Sequence, residues 1–143
     1  MPKIDFYILS NDSEQLHFVC RLIEKDYKKQ HRIFIHTDTI QMAHQVDELL
    51  WTYRDDSFLP HNLYGEGPTP APPIQIGCNT VPQHHHDILI NLSLEVPAFY
   101  QQFNRILEIV PHTIDHKNQA RAHYKFYRNA GLTIETHSLT TEV

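Results

Sequence analysis

Residues 4–36 read IDFYILSNDSEQLHFVCRLIEKDYKKQHRIFIH, and the two apolar runs at the ends of this stretch decide the architecture. The first, Ile4 to Leu9, carries Phe6, Tyr7, Ile8 and Leu9 in succession, and the second, Arg32 to His36, carries Ile33, Phe34 and Ile35. A strand with one wet face alternates apolar and polar residues, so a nearly continuous run implies a strand covered on both faces. Between the runs, Leu16, Val19, Cys20, Ile23 and Tyr27 keep helical spacing behind the capping candidates Asn11, Asp12 and Ser13. This predicts a helix to about Lys29. Strand, helix, strand in that order is a βαβ unit with parallel strands.

Working outward, Thr37, Asp38 and Thr39 cap a second predicted helix, in which Met42, Ala43, Val46, Leu49 and Leu50 keep helical spacing as far as Trp51. Strands follow at Ile74–Gly77, Asp87–Leu92, Arg105–Val110 and Leu132–His137, with one or two helical turns over Val96–Gln102. A last helix runs from Asp115 to Asn129 and is closed by Ala130-Gly131. Prolines and the turn Gly65-Glu66-Gly67-Pro68 mark Thr52–Pro73 as a long surface loop, and Val81–His86 reads as another. The expected fold is α/β, a three-layer α/β/α sandwich around a mostly parallel sheet, with residues 1–143 in one domain and 138–143 a frayed tail.

Composition narrows the class. A chain of 143 residues with 41% hydrophobic and 20% charged residues is ordinary for one globular domain. No apolar run nears the ~20 residues of a membrane span, and Met1–Leu9 lacks the basic start and long apolar stretch of a secretion signal, so no membrane association and a cytoplasmic location are expected. Cys20 and Cys78 have no ligand spacing, and two buried thiols are expected rather than a disulfide.

The sheet resembles a Rossmann arrangement, but neither GxxxxGK[ST] nor GxGxxG follows the first strand, where Ser10-Asn11-Asp12 stands instead. The usual phosphate cradles are therefore absent. His84-His85-His86-Asp87 offers imidazoles and a carboxylate, yet adjacent residues of an extended segment point to opposite sides, so only His84 and His86 could converge, and no spaced partner completes a metal site. No nucleophile motif is present. Asp55, Asp56, Asp87 and Glu108 could pair for acid and base work, but seventeen acidic residues meet by chance. Neither catalysis nor a cofactor or metal is expected.

One charge pattern stands out. Lys117, Arg121, Tyr124, Lys125 and Arg128 fall on one stripe of the last helix, and their four cations are a third of the twelve Lys and Arg in a chain of formal net charge −5. A solvated helix face also looks like this, but such a face has no need of a phenol. A ring flanked by cations suits a ligand that is part apolar and part anionic, and the small patch argues against long duplex DNA. Single-stranded nucleic acid bound by the basic helix 117–128 is the alternative reading. Trp51 and Phe58 either cover a corner of the core or anchor a protein partner.

Residues 47–68 (DELLWTYRDDSFLPHNLYGEGP), 87–93 (DILINLS) and 120–131 (ARAHYKFYRNAG) resemble the chi subunit family of bacterial DNA polymerase III, and the likeness extends in order over nearly the whole chain. The most specific elements are the W…SF.PHNL.GEGP signature and the terminal basic helix. The resemblance implies a non-catalytic accessory subunit that binds the psi subunit, through it the clamp loader, and the acidic C-terminal tail of single-stranded-DNA-binding protein. By position it implies a tail site at Lys117, Arg121, Tyr124 and Lys125, with Val110 lining an apolar pocket. Arg128 prolongs the stripe without a matching family residue. Trp51, Phe58, Pro60 and His61 correspond to the psi surface, which an accessory helicase could share. His84-His85-His86 replaces a more basic stretch of the family pattern.

Overall fold

The structure, a computed structural model, describes residues 2–9, 15–52, 59–64, 72–78, 82, 87–93, 95–110 and 114–138. Its elements in chain order are β1 (Lys3–Ile8), α1 (Gln15–Lys28), β2 (Ile33–Thr37), α2 (Ile40–Thr52), β3 (His61–Leu63), β4 (Ile74–Cys78), β5 (Ile88–Asn91), β6 (Arg105–Val110), α3 (Ile114–Asn129) and β7 (Thr133–Ser138). A single 3-10 turn at Tyr100–Gln102 stands where one or two helical turns are expected.

The seven strands form one sheet in the order β3-β4-β2-β5-β6-β1-β7, and every described pairing is parallel. Side chains alternate across it. Ile33, Ile35, Ile88, Ile90, Leu107 and Ile109 pack with Val19, Cys20 and Ile23 of α1 and Val46 and Leu50 of α2. Phe34, Leu89, Ile106 and Val110 point the other way, where Ile4, Phe6, Tyr100, Phe103 and Tyr127 of α3 complete a second core. Helices on both faces explain the continuous apolar runs, since both parities are buried. The three layers match the fold read from the sequence.

β1 and β2 are parallel as read from the sequence, with β5 and β6 lying between them. Two local expectations change. The span expected as one loop between Thr52 and Pro73 contains β3, whose His61 is buried and whose residues pair with Ile74–Ile76 at the sheet edge. Cys78 is half-buried and its thiol donates to the Asp38 carbonyl at 3.4 Å, whereas Cys20 is fully buried and burial pushes its thiol up to about 12. Both are free thiols.

The ends of the helices follow local chemistry. Thr39 Oγ1 accepts a hydrogen bond from Met42 N at 3.1 Å, which makes Thr39 the cap among the three candidates ahead of α2. At the end of α3, Gly131 adopts φ 81° while Leu132 N donates to Tyr127 O and Gly131 N to Arg128 O, closing the helix as a Schellman turn and sending the chain into β7.

Candidate functional site

The site is assembled from the residue that anchors α3. Glu108, at the middle of β6, is 3% exposed, and its carboxylate accepts hydrogen bonds from Tyr127 Oη at 2.6 Å and Asn91 Nδ2 at 2.9 Å, with His123 Nδ1 at 3.2 Å. Burial first, then the Glu108 charge, raises the Tyr127 hydroxyl far above its usual range, so it remains a donor. Glu108 is thus a structural acceptor beneath α3, not one partner of an acid and base pair. Asp87 is likewise occupied, accepting from Arg32 N at 2.7 Å. Asp55 and Asp56 lie outside the described residues.

With His123 and Tyr127 turned inward, the helical repeat turns Lys117, Arg121, Tyr124, Lys125 and Arg128 outward along the stripe read from the sequence. Two adjoining hollows open along it. The first, of about 330 Å³, lies between α3 and the sheet; Phe6, Ile8, Val110 and Ala120 form its apolar lining, Thr136 of β7 closes one side, and Lys117, Arg121 and Tyr124 complete it. The second, also about 330 Å³, is lined by Arg121, Tyr124, Lys125 and Arg128. Tyr124 belongs to both, 40% exposed, its ring tilted 5.7 Å from that of Phe6.

All six residues assigned to this site, Val110 included, therefore line one continuous surface, and Arg128 belongs to its second hollow. Among the described residues none of the four cations is ion-paired. Unpaired cations beside an apolar floor attract a ligand that carries an anion next to a hydrophobic group. Phe6, Ile8 and Thr136 also line the first hollow, and nothing in their sequence context marks them as site residues. They come from strands at the two ends of the chain, and only the β1–β7 pairing, Phe6 opposite Thr136, brings them together.

The second assigned surface divides. Trp51 is 56% exposed at the end of α2, and Pro60 is half-buried. His61, expected at the surface, is only 7% exposed: Nδ1 lies 2.6 Å from Leu59 O and Nε2 3.1 Å from Asp47 O, which draws the ring under the helix end. Phe58 and the cluster His84-His85-His86 lie outside the described residues.

A further polar group ties β1 to its neighbours. Asp5, fully buried, receives Arg105 Nε at 2.7 Å and His137 Nε2 at 3.0 Å, while Arg105 also reaches Tyr7 Oη at 3.2 Å. Burial raises the Asp5 carboxyl, but the hydrogen bonds of His137 and Arg105 and the charges of Arg105 and Lys3 outweigh it and hold the group below its ordinary range. Asp5, Glu135 and His137 bring potential metal ligands within 4.8 Å of one another. Arg105 and Lys3, the latter 3.3 Å from Glu135, already neutralise the two carboxylates, so the group serves as an ion-pair web.

No helix among the described residues is long and apolar enough to cross a membrane. Fold and surface together define an α/β protein with an open, cationic groove along its last helix. Comparison with known sequences makes the assignment particular: residues 1–135 match the family described as DNA polymerase III chi subunit, HolC, and the chain belongs to that family. It is 33% identical over 141 residues to the DNA polymerase III subunit chi of Pseudomonas aeruginosa, covering 97% of this chain and 98% of the relative. The Escherichia coli chi subunit is 34% identical over 148 residues, covering 95% and 97%, and that of Haemophilus influenzae 32% over 139 residues, covering 94% and 95%.

Proposed function

We propose that this chi-family protein is a non-catalytic adaptor of the replicative holoenzyme. It joins the clamp loader, through the psi subunit, to the acidic C-terminal tail of the protein that coats single-stranded DNA. The tail would dock on α3, with the apolar side chain of its last residue in the hollow between Val110, Phe6 and Tyr124. Arg121 or Lys125 would meet the terminal carboxylate, with Lys117 at the edge, and Arg128 would face acidic residues further up the tail. The psi subunit, or an accessory helicase in its place, would meet the surface carrying Trp51 and Pro60, with Phe58 assigned to the same contact by family resemblance alone. No cofactor is needed for either contact.

The single observation that carries this reading is an apolar hollow whose rim holds cations without ion-pair partners among the described residues. A free carboxylate on an apolar residue fills both parts, and a charge-assisted hydrogen bond to it contributes about 1.5–3 kcal/mol. Direct binding of single-stranded DNA by residues 117–128 is the weaker alternative. Nucleic-acid sites alternate cations with several stacking rings, and this stripe has one. A fluorescently labelled tail peptide titrated against wild type and Arg121→Ala tests the assignment: weakened binding in the variant, and loss of affinity with added salt, are expected. Equal affinity for the two proteins would remove Arg121 from the site.

A further inference from the structure

Trp51 is the only tryptophan of the chain, and it stands 56% exposed. Its ring centroid lies 4.6 Å from that of His61, at an interplanar angle of 51°. His61 is in turn pinned: Nδ1 faces Leu59 O at 2.6 Å, and Nε2 faces Asp47 at two atoms, the carbonyl at 3.1 Å and Oδ1 at 3.3 Å. Asp47 is one helical turn before Trp51 on α2, so the imidazole is tied to the same turn that carries the indole. Its own burial leaves it little surface to offer a partner.

We infer that His61 is a positioning residue: it stays beneath the surface and holds the Trp51 indole in one orientation, ready for a protein partner. A large side chain fixed before binding loses less freedom when a partner closes over it, and buried tryptophans are frequent anchors of such contacts. His61 thus acts through its reach back to Asp47 and not through direct contact with the partner. This inference rests on the reading of Trp51 as part of the psi surface.

A double-substitution cycle with the purified psi subunit tests it. His61→Ala is expected to weaken psi binding roughly tenfold or more, and to cause no further loss once Trp51→Ala is present. In the free protein, the lone tryptophan reports directly, and its fluorescence anisotropy is expected to fall in His61→Ala as the indole gains freedom. His61→Phe, which keeps a flat ring but neither hydrogen bond, is expected to move both readouts the same way and serves if the alanine variant does not fold. Losses that multiply independently, or an unchanged anisotropy, overturn the positioning role. If Trp51→Ala binds psi like wild type, the psi surface itself is wrong, and anisotropy alone then decides whether His61 holds the indole.

Discussion

The Tyr127 hydroxyl, 2.6 Å from Glu108 Oε2, is one of three groups that keep a buried carboxylate hydrogen-bonded beneath α3. Removing it leaves the charge with fewer donors where water does not reach. Tyr127→Phe is expected to lower stability by about 2 kcal/mol in urea unfolding, and a change under about 0.5 kcal/mol would show that the bond is replaceable. Asp5 makes a second prediction, with a definite sign in pH. Its carboxyl is held below the ordinary range, so its contribution is complete above the unfolded value of about 3.9 and is lost as pH falls through the lower folded value. The stability gap between wild type and Asp5→Asn should therefore be constant at neutral pH and shrink below about pH 4; a gap that widens in acid would contradict the web. Neither residue announces its role in sequence. Glu108 sits in an apolar strand like any stray acid, and Asp5 finds Arg105 only because β1 and β6 are neighbours.

At the scale of elements, the strands were legible because burial on two faces leaves an uninterrupted apolar signature. The run RILEIV over Arg105–Val110 is β6 to the residue. The stripe on α3 was legible for a related reason, since helical periodicity fixes which side chains share a face without any knowledge of the partner strands. β3 was not: three residues, His61, Asn62 and Leu63, follow a proline and carry too little pattern to show a strand, and only pairing with β4 makes them one. Gly131 at the end of α3 was legible in the usual closing position, and its φ of 81° gives the reason. A Cβ there would meet nothing within 4 Å, so Gly131→Ala should cost about 1 kcal/mol in thermal or urea unfolding through backbone strain alone. A much larger loss would reveal packing that the turn does not have.

At the scale of the whole molecule, the strand order sets the two proposed surfaces apart. β3 and the end of α2 lie at one edge of the sheet, and α3 covers β1 and β7 at the other. Val110 of β6, which lines the groove, is four strand spacings of about 4.8 Å from β3, so about 19 Å of sheet lies between them. No shared element connects them, so tail affinity measured with and without bound psi should agree within about twofold; a marked change would require coupling through the sheet. That order was hidden in the sequence, because a helical crossover has the same pattern whether it leads to the adjacent strand or passes over two. The groove on α3 is proposed to receive the end of a peptide chain. This proposal is tested most directly by titrating wild-type protein with two versions of one acidic peptide ending in an apolar residue, one with a free C-terminal carboxylate and one amidated. The free form is expected to bind roughly tenfold tighter or more, because the amide removes the anion that Arg121 or Lys125 would hold. Equal affinity for the two peptides would contradict the claim.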